Sequence, residues 1–424
     1  MAASNSQKRY NYILNAENQG SSTPDSSVSA PESKKKIKRT KKEKVKEPGL
    51  RIFDGNIDSL FFIIVIVLLV FGIIMMFSAS YIAGLAEGDG YKYVKTQGVA
   101  AIFGVFVMIF ISFFDYHILM NSKLITLAFL ASLGLLTYTS FFGDEVAGAK
   151  RWIWIGDSFS FQPSEIMKVA LIIYLAFLIC RNEHNLRSFV KGVIPLCIVM
   201  GVVCGNMVLQ RHISGLLIMC ALGAVVIFVG GMPWKQIFQL AGIILVVAVI
   251  FLLLYSAMSG GGLSYVFDRF SSMGTAESGE IDNDNWQIAQ SLIAIGSGGW
   301  FGLGFGESRQ KYLWLPESQN DFIFPIIVEE LGYLGGLVVV ILFVLLVYRG
   351  FYIAKKAPDK FGMLIVVGIV FQIGLQALLN IGVACNAFPN TGISLPFFSS
   401  GGTALVIQLA EMGVVLGVSR QCDV

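Results

Sequence analysis

Apolar runs of about twenty residues recur from Ser59 to Ser419, and a helix of that length spans the hydrocarbon core of a bilayer. The runs do not alternate, as the short strands of a membrane barrel would. Only 14% of the 424 residues are charged, against roughly 25% in a soluble domain. The expected fold is therefore all-α: a polytopic membrane protein of about ten helices.

The spans fall near 58–80, 94–114, 123–142, 164–180, 191–209, 213–230, 237–257, 322–348, 361–385 and 403–419, with the weakest boundary at Gln210–Arg211–His212. The first 50 residues are polar, show no cleavable signal peptide and carry KKKIKRTKKEKVK from Lys34 to Lys46. Such a tail cannot bury a core and is expected to be disordered. Its charge reads first as a topology signal and second as an attraction for anionic headgroups. No aromatic residue interleaves with it to suggest nucleic acid. Residues 51–424 then form the membrane domain. With the tail inside and an even span count, both termini are cytoplasmic. Lys123, Arg181, Arg187, Lys191, Lys235, Arg349, Lys355, Lys356, Lys360 and Arg420 fall in inner loops or at inner helix ends.

Two outer loops are long, Gly143–Pro163 and about 258–320. They carry cations that the positive-inside bias disfavours. Lys150 and Arg151 lie in an amphipathic RWIWIG stretch suited to an interface, and Arg269, Arg309 and Lys311 follow in the longer loop. An anionic ligand on that side accounts for them, as does ordinary solvated loop charge. Gly302, Gly304 and Gly306 read as turn glycines, because no strand precedes them to make a nucleotide loop. The pairs Gly332/Gly336 and Gly413/Gly417 read as helix-packing faces. Six cysteines without a C-x-x-C pair and three scattered histidines give neither a disulfide framework nor a zinc site.

The stretch PESQNDFIFPIIVEELGYLGG from Pro316 to Gly336 places an acid at the mouth of a span and two more inside it. Asp321 can be a helix N-terminal acid favoured by the dipole, with Ser318 as its cap. Pro325 loosens that first turn. Glu329 and Glu330 stand roughly 12 Å deeper at ~1.5 Å per residue, and cannot both share the face of Asp321. At least one should bond internally, since ionisable groups at depth are paired or functional. Glu165 and Lys168, spaced i, i+3, can pair on one helix face; Lys168 could also face Asp321 or an anionic lipid group. In NAFPNTGISLPFFSSGGTAL from Asn386, prolines and glycines break the helix, and such backbone at membrane depth lines a cavity or is buried in protein. Glu411 is a further buried acid, read as structural.

Four stretches in order carry a resemblance: GAKRWIWIG with FQPSE, AQSLIAIGSGGWFGLGFGES, LPESQNDFIFPIIVEELG, and NTGISLPFFSSGGT. Together they resemble the SEDS family (shape, elongation, division and sporulation), which includes FtsW, RodA and SpoVE, and they look closest to the FtsW/SpoVE branch. The resemblance covers Ser59 to Arg420 and leaves out the tail. One departure stands at Gln210–Gly215, where the family often has Q-P-D-x-G. Here the proline and aspartate are absent.

The resemblance implies a peptidoglycan glycosyltransferase that polymerises lipid II at the outer face of the bacterial cytoplasmic membrane during division or sporulation. Asp321 matches the acid regarded as essential and is the candidate general base. Implied substrate-binding positions are Lys150, Arg151 and Trp152 of the first motif, then Gln162, Ser164, Glu165 and Lys168. Arg269, Gln287, Gln290, Lys311, Pro316 and Glu317 follow in and after the long loop. Ser399, Ser400, Gly401 and Gly402 complete the set. A divalent cation, Mg or Mn, is implied by analogy alone. Implied partners are lipid II with the nascent glycan, a class B penicillin-binding protein, division or sporulation assembly proteins, and membrane lipids. Two rivals stay open: a lipid II flippase, since broken helices and intramembrane charges are also transporter signs, and a non-enzymatic scaffold for the penicillin-binding protein.

Overall fold

The computed structural model describes residues 55–146, 149–155, 159–210, 212–236, 238–239, 242, 286–390 and 392–422. The basic tail and Arg269 lie outside them, as do most of the span expected at 237–257 and the first part of the 258–320 loop, 258–285.

Among the described residues nine helices run long and apolar: α1 (Ser59–Ala86), α2 (Lys92–Ser112), α3 (Ser122–Phe142), α4 (Pro163–Arg181), α5 (Ile194–Leu209), α6 (Ile213–Val229), α8 (Ile323–Lys356), α9 (Lys360–Ala384) and α10 (Gly402–Ser419). Eight meet the length and hydropathy of a membrane span, α5 by way of the helical turn at Phe189–Val193 that leads into it, and α6 is a shorter apolar helix. This is a multi-pass helical membrane protein. A further helix, α7 (Trp286–Ser297), is short and leads into the loop before α8.

Local chemistry sets the starts. Asp58 caps α1 by accepting from Phe61 N at 2.8 Å, Asn121 caps α3, and Asp359 caps α9 through Gly362 N. Each satisfies an amide that has no partner within its own helix. Pro163 opens α4, where its missing N–H costs nothing.

Both ends of the bundle meet on one face. Asp58 N donates to Ser419 Oγ at 3.1 Å, and Arg420 Nη1 donates to the Gly55 carbonyl at 2.8 Å. The same face carries Glu183–Lys360 and Arg349–Asp58. It is the face on which the positive-inside rule places the cytoplasm. The core is apolar and continuous, with α10 packed along α2. Gly413 allows that approach, as a Cβ there would stand 2.6 Å from the Met108 carbonyl oxygen.

Three departures from the sequence reading concern the outer face. RWIWI lies in a small antiparallel sheet, β1 (Asp144–Val146), β2 (Ala149–Ile155) and β3 (Phe159–Phe161), in order β1-β2-β3. Ser318 does not cap the eighth span: α8 begins at Ile323, with Phe322 at the cap position and no side-chain cap. Gly332 is not a packing face but a break, at φ 73° and ψ −176° inside α8.

At that break the loop after α7 enters the hydrogen-bond ladder. Within an unbroken helix, Tyr333 N would bond to Glu329 O and Leu334 N to Glu330 O. Instead Tyr333 N donates to Gly299 O and Leu334 N to Trp300 O, while Leu303 N and Gly304 N donate to the carbonyls of Glu329 and Glu330. All four groups freed by the break are thereby satisfied without water, as burial in a membrane domain requires. Backbones this close exclude side chains. A Cβ on Gly332 would meet the Trp300 carbonyl at 2.3 Å, and one on Gly302 would meet Glu330 O at 2.1 Å. Gly302, Gly304 and Gly306 all have positive φ, so the turn reading of these glycines holds.

Candidate functional site

Asp321 ends an irregular segment that begins at Ser308 and is tied down from three directions. From α9, Asn380 Nδ2 donates to the Asp321 carbonyl and the Ile393 carbonyl, each at 2.7 Å. From the loop before α10, Ser399 Oγ donates to Asn320 O at 2.6 Å and Ser400 N donates to Gln319 O at 2.9 Å. From α2, Gln97 holds that loop by donating to Ser399 O and accepting from Gly401 N, both at 3.1 Å. Ser399, Ser400 and Gly401 therefore position the Asp321 segment through backbone and hydroxyl bonds. Gly402 starts α10.

The Asp321 carboxylate faces Gly392, whose φ is 62°. A Cβ there would lie 3.3 Å from Asp321 Oδ2 and 3.8 Å from Arg151 Nη1. The acid and the guanidinium thus both border the space beside the Gly392 Cα, and a side chain there would press on the acid. Burial, then the neighbouring Glu317 carboxylate, push the Asp321 carboxyl up to about 6, while Arg151 opposes the rise. Arg151 Nε is buried without a hydrogen-bond partner, so this cation retains donor capacity for an anion. Lys150 and Trp152 flank it on β2, paired in register with Glu145 and Asp144 of β1.

On the other side of Gly392 lies a polar cavity of about 40 Å³. Gln162, Ser164, Glu165 and Lys168 from the start of α4 line it, with His212, Ser214, Gln376 and Ser394 opposite. At about 10–15 Å³ per water on the same measure, it has room for ordered waters. Lys168 Nζ is 2.7 Å from Glu165 Oε2, which is the self-contained pair, and the cation facing Asp321 is Arg151. Ser164 Oγ and Gln376 Oε1 are buried without partners. His212 stands where the family's acid is missing.

Other expected positions take structural places. Lys311 Nζ is 2.9 Å from Glu330 Oε1 and 3.2 Å from Ser78 Oγ on α1. It is buried in the loop and does not reach Asp321's neighbourhood as a free cation. Glu329 accepts from Ser308 Oγ, Arg309 N and Gln310 N, so both inner acids bond internally. Gln287 Oε1 accepts from Asn390 Nδ2 at 2.8 Å, joining α7 to the closing loop. Gln290 is buried. Pro316 and Glu317 precede Asp321, and Glu317 takes a positive φ of 56°. Glu411 accepts from Gln372 at 2.8 Å.

Sequence reasoning missed Asn380, Gln97, Gln376 and Gly392. The first three carried a signal, an uncharged polar side chain within or at the edge of an apolar span. Gly392 carried none, since its role depends on what stands on either side.

Residues 58–423 match the family described as FtsW/RodA/SpoVE, cell cycle protein. Stage V sporulation protein E of Bacillus subtilis (strain 168) is 37% identical over 367 residues, 86% of this chain and 97% of that protein. A probable peptidoglycan glycosyltransferase FtsW of Geobacter sp. (strain M18) is 33% identical over 367 residues, again 86% and 97%. A chain solved in work on structural coordination of polymerization and crosslinking by a peptidoglycan synthase complex superposes with a TM-score of 0.69 at 26% identity, covering 86% of this chain and 98% of that one.

Proposed function

The chain belongs to the FtsW/RodA/SpoVE family, and from that membership together with the Asp321 site we propose that it is a peptidoglycan glycosyltransferase. In this reading it polymerises lipid II at the outer face of the bacterial cytoplasmic membrane, in division or sporulation, with Asp321 as general base. The observation that carries the reading is the placement of Asp321. It is a carboxyl raised to about 6, held by its own peptide, with a cation across Gly392, at the outer end of the membrane helices.

Chemistry follows from that placement. The acceptor sugar's 4-hydroxyl oxygen attacks the anomeric carbon of the donor chain. The bond from that carbon to the lipid pyrophosphate breaks, and the hydroxyl proton passes to Asp321. A base near the operating pH is efficient in such a step. The departing pyrophosphate gains negative charge, and fixed cations stabilise it. Arg151 is first among them because Nε lacks a partner, with Lys150 beside it. Lys168 is already neutralised by Glu165 and is better suited to orientation. A neighbouring carboxylate raises a carboxyl's pKa, so Glu317 helps keep Asp321 able to exchange its proton near neutrality.

A divalent ion, Mg or Mn, would need ligands here. Among the described residues no three His, Cys, Asp or Glu side chains gather to cage one. The described residues thus offer no protein-built cage; an ion held by one or two carboxylates and the substrate's pyrophosphate would take Asp321 and Glu317, and no step passes through it.

Partners in this reading are lipid II, the nascent glycan, surrounding lipids, a class B penicillin-binding protein and the division or sporulation assembly. The test is polymerisation of labelled lipid II by the purified chain with its penicillin-binding protein, wild type against Asp321→Asn. Glycan from wild type alone supports the reading. Equal glycan from both removes Asp321 as base. None from either, with the partner bound, favours the flippase or scaffold alternative.

A further inference from the structure

The loop that enters the α8 ladder carries three exposed aromatic residues: Trp300 is 71%, Phe301 82% and Phe305 51% exposed. No charge occurs from Ser297 to Gly306. Glycine turns aim these rings outward, and the backbone bonds to Glu329, Glu330, Tyr333 and Leu334 fix their height.

That height can be placed against a bilayer. From Tyr333 to Lys356 the helix runs on for about 36 Å at ~1.5 Å per residue, enough for a ~30 Å hydrocarbon core and an interfacial turn. Lys355 and Lys356 mark its inner end. Its outer end is Tyr333, and Trp300 packs edge-on to that ring with centroids 6.1 Å apart. Trp and Tyr favour this boundary, where the headgroups meet the acyl chains. Below it, Leu334, Leu337, Ile341, Val344 and Tyr348 form an exposed stripe down α8 at helical spacing. The loop's apolar surface joins that stripe directly, since Leu334 N bonds to the Trp300 carbonyl.

We propose that the Trp300–Phe305 turn is a membrane-seating element whose partner is the outer leaflet itself, with the three rings in the headgroup–acyl boundary. In water, an exposed apolar patch of this kind is an association liability. At the boundary it lowers the free energy by removing ring area from water, while the polar edge of Trp300 stays hydrated. The seat also has a mechanical consequence. The segment that leaves it is pinned through Ser308 and Lys311 to Glu329 and Glu330 and ends at Asp321, so bilayer contact sets the height of that residue. The proposal does not depend on the glycosyltransferase reading, and its test reads no activity.

Reconstitute the full chain in vesicles of lipids brominated at shallow or deep acyl positions, and take the Trp300 signal as wild type minus Trp300→Phe. The conservative variant keeps an aromatic ring and the backbone ladder. Expected is greater loss of the difference signal to shallow than to deep bromines, with less loss to aqueous acrylamide than a fully water-exposed tryptophan shows. Strong quenching by acrylamide with indifference to bromolipids overturns the proposal, because the turn then stands in water. Protection from both also overturns it, because a second copy or another segment of protein then covers the rings.

Discussion

Lys311 Nζ lies 2.9 Å from Glu330 Oε1, with Lys311 5% and Glu330 0% exposed by side chain. The pair joins the outer loop to the first half of α8, and Gly304 N bonds to the carbonyl of the same glutamate. Removing one member leaves an uncompensated buried charge, at a cost of about 3–5 kcal/mol. Glu330→Gln should therefore melt well below wild type in detergent, and Lys311→Met likewise. The double variant Glu330→Leu, Lys311→Met should recover much of the loss, since replacing both partners by apolar groups is often near neutral. Thermal unfolding of the four proteins checks this; a double variant no better than the singles would show that the charges themselves are needed.

Asp321 gives a pH dependence with a definite sign. Its carboxyl is raised by burial first and by Glu317 second, to about 6, above the ~3.9 of an unfolded aspartate. If it is the base, kcat/KM should fall as pH drops through about 6, and Glu317→Gln should move that limb to lower pH. Asp321→Asn should lower the rate by roughly 10²–10⁴-fold. The linkage runs the other way from a salt-bridged acid. Between the two pKa values the folded state binds more proton, so stability is lost as pH rises. Asp321→Asn should thus melt higher than wild type at pH 7.5, with the gap closing toward pH 4. A less stable Asn variant at neutral pH would contradict the raised pKa.

Spans were legible because twenty apolar residues have one use in a chain of this composition. The even crossing count was legible from the apolar runs, and the Asp58–Ser419 contact agrees with it. The ladder insertion at Gly332 was not. A G-x-x-x-G spacing reads the same whether its first glycine packs a helix or ends one, and only the Gly299–Gly304 carbonyls and amides decide it. Asp321 was visible as an acid out of place. Its cation was not, because whether Arg151 or Lys168 faces it depends on a glycine 71 positions along the chain, Gly392. The β-strands around RWIWIG were hidden by aromatic and basic residues that suit an interface equally well.

On the opposite face His117 bridges two acids, with Nδ1 2.6 Å from Asp115 Oδ1 and Nε2 2.6 Å from Asp359 Oδ2. Burial pulls its pKa down, but the hydrogen bonds to Asp359 and Asp115 outweigh that and raise it. Asp359 is lowered: burial opposes, and His117 with the Gly362 amide prevails. A raised histidine contributes its full stability below the unfolded value of ~6.5, and the contribution is lost as pH rises through the folded value. With the ring about one-third exposed, the effect should be about 1 kcal/mol or less. Melting temperature should therefore decline in wild type as pH rises above ~6.5, and His117→Gln should flatten that decline. An unchanged slope in the variant would assign the pH dependence elsewhere.

Asn380 acts on Asp321 through the backbone. Its Nδ2 donates to the Asp321 carbonyl and to Ile393 O, so one amide group joins the acid's peptide to the loop that carries Gly392. Neither bond touches a reacting atom, which makes Asn380 a positioning residue in the proposed reaction. Misplacement by about 1 Å can cost ~10²-fold, and loss of the two bonds should lower kcat by roughly 10–100-fold with KM little changed. Asn380→Ala also leaves a gap, so Asn380→Asp is the sharper variant. It keeps the shape but removes the donor, and turns an oxygen toward two carbonyl oxygens. Asn380→Ala should also move the acid limb of kcat/KM toward an ordinary carboxylate, because a loosened Asp321 is better hydrated, whereas the carboxylate added in Asn380→Asp pushes the limb the other way, so that variant is read in kcat. If Asn380 served packing alone, Asn380→Asp would keep kcat in the fraction that folds, and Asn380→Ala would keep the limb near 6. That result would return Asn380 to the structural frame and leave Asp321 held by Ser399 and Ser400.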